Sequence, residues 1–258
     1  MKNYFERVGK NILNGLYYTG AVCLLGMRSF FWMIVTPLKR KQVATQMYKI
    51  GVESFSIVCL CSLFTGIVLV LQSAYQMQKV GMEKLIADLV ALSMCRELGP
   101  VFTALVIAGR AGASISAELG TMRVTEQIDA LQTMAVNPVR YLVVPRLAAL
   151  ITMLPVLTIY ANFIGILGGY MVAVWNLGLN SVMYINSSFN ALVLKDVFTG
   201  LFKSVIFGLI ICSVSCFQGL NTEGGAEGVG KATTLAVVIS FVLIIAADCL
   251  ITAFFYFV

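Results

Sequence analysis

The chain has 258 residues, 59% hydrophobic and only 12% charged, against about 25% charged in an ordinary soluble domain, so it has too little polar surface to coat a water-soluble particle. The formal net charge of +6 does not mark a nucleic-acid binder. Its basic residues are few, and the densest group, PLKRKQ at 37–42, precedes an apolar run, as on the cytosolic flank of a membrane protein beside anionic lipid.

The opening MKNYFERVGKNILNG lacks the pattern of a cleaved signal peptide and is expected to stay attached. Phe5, Val8, Ile12 and Leu16 recur at helical spacing, with Lys2, Arg7, Lys10 and Asn14 on other faces, which predicts an amphipathic helix lying in the interface. Residues 16–35 are apolar but carry Arg28, and either a tilted span or a second interfacial piece fits them.

Five clearer spans follow, each long enough to cross about 30 Å of hydrocarbon as a helix. Residues 50–77 hold one charge, Glu53; 86–109 hold Arg96 and Glu97, with Asp88 at the margin. Residues 147–175 hold none, 197–217 only Lys203, and 233–258 only Asp248. An N-terminus inside puts Arg110, Arg123, Arg140 and Arg146 on the cytosolic side and leaves the sparser loops near Lys79–Lys84 and Lys195 outside, as the positive-inside rule requires. The fold class is therefore all-α: one transmembrane domain over 1–258, with residues 1–45 as an interfacial N-terminal segment. No internal duplication of spans is visible, so the pathway is expected to form by pairing with a second copy.

Within this apolar chain, SMCRELGPVF at 93–102 stands out. An ionisable side chain at membrane depth costs about 2.5–3.5 kcal/mol on insertion scales, so it faces a cavity or a partner. Arg96 and Glu97 are adjacent, about 100° apart on a helix, and cannot form an i, i+4 pair with each other. Pro100 lacks the N–H that would bond the Arg96 carbonyl, so Gly99–Pro100 predicts a kink with a free acceptor at the charged pair. Both a lined cavity and simple charge pairing between helices of the bundle remain open. Downstream, Ala104, Ala108, Gly112, Ser116 and Gly120 form a small-residue stripe that permits close helix packing, within one subunit or across a dimer seam.

The segment 118–137 has a different character. Val124, Ile128, Leu131 and Ala135 mark one face of a short helix, Glu126 and Asp129 another, and Asn137-Pro138 stops it. It either lies on the membrane or docks a soluble partner. GGAEGVGKA at 224–232 nearly spells a phosphate loop, but Ala232 replaces the magnesium-binding Ser or Thr and no strand precedes it. It is read as a flexible cytosolic loop. The chain has no histidine, and its seven cysteines (23, 59, 61, 95, 212, 216, 249) all lie in apolar segments. No metal site and no Cys–His nucleophile is expected.

LVALSMCRELGPVFTALVIAGRAGASISAELGTMRVTEQIDALQTMAVNPVRYLVVPR, residues 89–146, closely resembles the signature region of the MlaE permease family, and KSVIFG at 203–208 and KATT at 231–234 agree with it. The resemblance implies a permease subunit of an ATP-binding-cassette transporter, not itself an enzyme, in the inner membrane of a double-membraned bacterium. It implies a homodimer of permeases, two cytoplasmic ATPases that hold the ATP and magnesium, a periplasmic hexamer of MCE-domain proteins, and room for a small STAS-type accessory protein. Phospholipid would move between inner and outer membranes; this chain would need no cofactor of its own and no nucleic acid. On the family pattern Arg96 and Glu97 border the lipid cavity, joined by Leu69 and Tyr75. The coupling residues would be Glu118, Arg123, Glu126, Ile128, Asp129 and Leu131, while Ala108, Gly112, Ser116 and Gly120 would pack helices. The resemblance also favours five spans over six. Two rivals stand beside it: a secondary transporter or channel using Glu97 or Asp248 as a proton relay, and a structural membrane scaffold.

Overall fold

In lipid the backbone has no water to bond, so a spanning chain must satisfy its own N–H and C=O groups. The computed structural model, which describes residues 2–35 and 39–257, does so with helices throughout, and no strand occurs among the described residues. In chain order the helices are α1 (Lys2–Val35), α2 (Arg40–Met47), α3 (Glu53–Val80), α4 (Ile86–Ser93), α5 (Gly99–Ile107), α6 (Ala113–Val124), α7 (Gln127–Thr133), α8 (Val144–Trp175), α9 (Ser181–Ala191), α10 (Leu194–Leu220) and α11 (Gly225–Phe257). Wider π-helical turns at Tyr48–Val52, Met94–Leu98 and Ala108–Gly112 join neighbouring helices into longer rods, and another at Val139–Val143 extends α8 at its start.

Because of these joins the spans run longer than the hydropathy suggests. Residues 86–124 form one rod of 39 residues rather than a span ending at 109, and 40–79 form another. Arg110, expected in a cytosolic segment, lies inside a rod. Residues 225–231 are also helical rather than a loop: Gly224 and Gly225 turn the chain at φ 87° and 69°, and Glu227 pairs with Lys231 one turn later at 2.6 Å. Between α8 and α10, α9 occupies what the sequence left as a connection. Asn180 caps it by accepting from the Val182 and Met183 N–H groups.

At the centre of the bundle α8 packs against α3 and α10. Ile107, Leu119, Leu147, Leu154, Phe207 and Ile211 fill the main core, and Val70, Val90, Met94 and Tyr184 form a second cluster towards the opposite end. Outward, α3 and α11 expose Phe64, Val68, Val242 and Ile245, the apolar surface that a lipid-facing helix requires. The backbones of α3 and α8 approach closely at Gly66, where a Cβ would lie 1.8 Å from the Gly165 carbonyl oxygen. Gly66→Ala should therefore force the two central helices apart, at about 1–3 kcal/mol or more. Size-exclusion profiles of the detergent-extracted variant should show a loss of monodisperse protein.

Among the described residues six helices are long and apolar enough to cross a membrane, one more than the five spans read from the sequence. The additional one is Leu16–Val35 in α1, and its contacts fix its course. Tyr18 accepts a hydrogen bond from Gln218 near the end of α10, and Trp32 lies under the Arg140 guanidinium just before α8. Both partners belong to the same, basic end of the bundle, and between them Gly26 lies against Ser213 of α10. The side chains of Phe5, Val8 and Ile12, and residues 36–38 of the basic run, lie outside the described residues.

Candidate functional site

The unusual charges converge where α10 passes the π turn Met94–Leu98. Asp196, Gly200 and Lys203 stand at spacings of four and three, hence on one face of α10. They meet Arg96, the Cys95 carbonyl and Glu97 in turn. Arg96 Nε lies 2.6 Å from Asp196 Oδ1. The other Asp196 oxygen accepts the Val193 N–H at 3.3 Å, which closes the first turn of α10. Lys203 Nζ donates to Glu97 Oε2 at 2.6 Å and to Thr252 Oγ1 at 2.7 Å, and lies 2.8 Å from Asp248 Oδ1. Thr252 in turn donates to the Glu97 carboxylate at 3.2 Å.

The local break is a widening of the helix rather than a kink with a free acceptor at Arg96. The Gly99 N–H donates to Met94 O, five residues back. In that register the donor missing at Pro100 would have served Cys95, not Arg96. The Cys95 carbonyl faces Gly200, whose Cβ, if it had one, would lie 2.1 Å from that oxygen. Pro100 falls in the first turn of α5, where a missing N–H costs little. Gly99 lies against the buried Asn162 amide.

Glu97 is therefore held by Lys203 and Thr252 of its own chain. Arg96 likewise has an internal partner. Yet the pairing does not bury the charges: 54% of the Arg96 side chain and 38% of the Glu97 side chain are exposed, against 1% for Lys203. Asp196 and Lys203 thus act as an inner layer presenting a guanidinium and a carboxylate on the surface. Glu97, Lys203 and Asp248 lie roughly 14–17 Å along their helices from the end opposite the basic one, at about 1.5 Å per residue. That is well within a hydrocarbon core.

Of the other expected cavity residues, Leu69 packs against the second cluster, to which Met94 of the π turn also belongs. Tyr75 points outward and stacks under Lys79 Nζ at 4.0 Å. The sequence reading missed Asp196 and Thr252 and left Lys203 and Asp248 without roles. The 4–3 spacing of Asp196, Gly200 and Lys203 was the available signal.

The small-residue stripe packs within the subunit. Ala108 and Ser116 are buried, Gly112 lies against Ser215 and Ile211 of α10, and Gly120 against Thr222. The coupling segment divides. Glu118 belongs to α6 and pairs with the buried Arg146 at 2.9 Å and with Lys49 at 3.7 Å, tying three elements at the basic end. Beside it Arg110 donates to Lys49 O, Ser54 Oγ and Glu53. Ile128 is buried against the bundle and Leu131 packs on the core. Ile128 and Leu131 therefore pack on their own bundle, while Glu118 joins these contacts with 41% of its side chain still exposed. On the outer side Glu126 enters α7 in the left-handed region at φ 60°, and Arg123 pairs with Asp129.

A family model described as permease MlaE matches residues 43–254. The chain belongs to the MlaE permease family. A probable ABC transporter permease protein of Rickettsia typhi is 42% identical over 97% of this permease and 96% of its own length. The intermembrane phospholipid transport system permease protein MlaE of Haemophilus influenzae is 36% identical over 97% of each chain. The chloroplastic protein TRIGALACTOSYLDIACYLGLYCEROL 1 of Arabidopsis thaliana is 38% identical over 82% of the permease and 60% of the plant protein. The matched family region contains the whole Arg96–Asp196 and Glu97–Lys203–Asp248 arrangement, so the charged cluster is part of the permease itself.

Proposed function

We propose that this permease moves phospholipid between the inner and outer membranes of a double-membraned bacterium, as the membrane subunit of an ABC transporter. In this reading two copies enclose a cavity, two cytoplasmic ATPases bind ATP and magnesium, and a periplasmic MCE-domain hexamer, with or without a STAS-type accessory protein, completes the assembly. The permease performs no hydrolysis. The observation that carries the reading is the half-exposed Arg96 guanidinium, held through Nε alone on Asp196 in the first turn of α10. Its terminal nitrogens make no hydrogen bond to the described residues, and a phosphate accepts from such a fork. The exposed side chains of Leu194 and Phe198, on the helix that carries Asp196, would meet acyl chains.

The rod from Ile86 to Val124 gives the ATPases a mechanical route to that site. It carries the charged turn near one end and leads directly into α7 at the other. A displacement of α7 would travel along one helix to Arg96 and Glu97, with the π turn Ala108–Gly112 as the yielding point.

The test is Arg96→Ala in proteoliposomes containing the assembled transporter, with ATP-driven transfer of labelled phospholipid as the readout. A charge-assisted hydrogen bond is worth about 1.5–3 kcal/mol, so transfer should fall roughly 10- to 100-fold, with Arg96→Lys between the two. Undiminished transfer in Arg96→Ala would refute the assignment. A secondary transporter built on the Glu97–Lys203–Asp248 cluster would instead run without ATP and stop on collapse of the proton gradient.

A further inference from the structure

We propose that the basic end of the permease carries a separate site for the headgroup of an anionic phospholipid, remote from the Arg96 cluster and independent of the transport reading. A pocket of about 330 Å³ opens there between the end of α1, the start of α2 and the turn that leads into α8. Lys39 and Arg140 line it together with Asn137, Trp32 and Tyr141, and none of its lining residues is acidic. Lys39 Nζ sits 5.0 Å from the centre of the Tyr141 ring, and the Arg140 guanidinium 5.8 Å from that of Trp32. Neither cation has a carboxylate partner among the described residues, whereas Lys49, Arg110, Arg123 and Arg146 at the same end all do. The Asn137 side chain accepts the Val139 and Arg140 N–H groups, which fixes the turn that carries Arg140.

Two unpaired cations held by aromatic faces attract an anion, and the neighbouring surface identifies its source. Phe31, whose ring meets that of the pocket residue Trp32 edge-on, and Ile34 in the same turn of α1 are exposed, so an anion attached to hydrocarbon is favoured over a free one. Tryptophan and tyrosine sit at headgroup level in membrane interfaces. The excess of Lys and Arg places this end on the cytosolic side, whose leaflet carries the anionic lipids. Basic pockets between helices on that side are a recurring form of headgroup recognition. Ala135 and Val136, just beyond α7, form part of the wall, so bound lipid would brace the coupling element.

The pocket can be tested through its own fluorophore. The chain has two tryptophans, and Trp175 is largely exposed on a different helix end, so Trp175→Phe leaves Trp32 as the reporter in the full-length protein in detergent. The probes are phosphatidylglycerol and phosphatidylcholine with identical brominated acyl chains. Phosphatidylglycerol should quench Trp32 at roughly 10- to 30-fold lower concentration, since each cation near the surface contributes about a fivefold preference. Lys39→Ala with Arg140→Ala should abolish that preference, and the charge-retaining pair Lys39→Arg with Arg140→Lys should keep it, which separates loss of charge from misfolding. Millimolar inorganic phosphate should leave the quenching in place; complete displacement would make this a free-phosphate site and overturn the lipid assignment. Equal quenching by the two lipids, or a preference that survives the double alanine variant, would also overturn it.

Discussion

Lys203→Met should leave the purified permease largely unfolded at temperatures where the parent protein remains intact. The lysine is the shared partner of Glu97, Asp248 and Thr252, and its side chain is 1% exposed. Removing it leaves two carboxylates facing each other at membrane depth with no cation between them. Breaking a buried pair by deleting one partner costs about 3–5 kcal/mol, because the remaining charge is uncompensated. The partial exposure of Glu97 puts the expected cost towards the lower end of that range. Thermal melting of the detergent-extracted protein reads the effect. A compensated variant, Lys203→Met with Glu97→Gln and Asp248→Asn, should recover most of the stability, since replacing a whole ionic group by neutral residues is often tolerated. A compensated variant no more stable than the single one would mean that Lys203 acts through packing rather than charge.

Gly200→Ala should have the second largest effect, and it acts through shape alone. The added methyl would lie 2.1 Å from the Cys95 carbonyl oxygen and 3.2 Å from Pro100 Cγ. The first of these is a backbone atom with little freedom to retreat. Either α10 moves away from the charged turn or the π turn tightens, and both pull Asp196 and Lys203 from their partners together. Overpacking of this kind costs about 1–3 kcal/mol, so the protein should still fold while ATP-driven lipid transfer falls by roughly tenfold or more. Thermal melting of the Gly200→Ala protein beside its ATP-driven transfer reads the effect. Unchanged melting with normal transfer would show that the close approach at Gly200 is not what holds the cluster.

The sequence made the membrane class legible because hydrophobic run length is a local property. A segment such as 147–175, with no charge, has one stable fate in lipid, and the structure returns it as the central helix α8. Arg96 and Glu97 were equally legible, since two charges in an apolar span stand out without any knowledge of their neighbours. The role of the apolar face of α7 stayed open for a related reason. Periodicity shows that Ile128 and Leu131 share a face, but a one-dimensional pattern carries no information about whether that face meets a partner or its own bundle. The loop expected at 224–231 failed because glycines were read as breakers, whereas only Gly224 and Gly225 adopt positive φ and the remainder of the segment is helical.

By itself the sequence determined an all-helical membrane protein with ionisable groups at depth and a basic end, since composition and period act through nearest neighbours and solvent. Only the tertiary structure decided which charges meet. Glu97 and Lys203 are more than 100 positions apart in the chain, and Asp248 is farther still. The crossing of α10 over the charged turn, permitted by the missing side chain at Gly200, brings them within hydrogen-bonding distance. Ion pairing at this range depends on helix packing, and packing is fixed by the shapes of surfaces that lie far apart in the linear order.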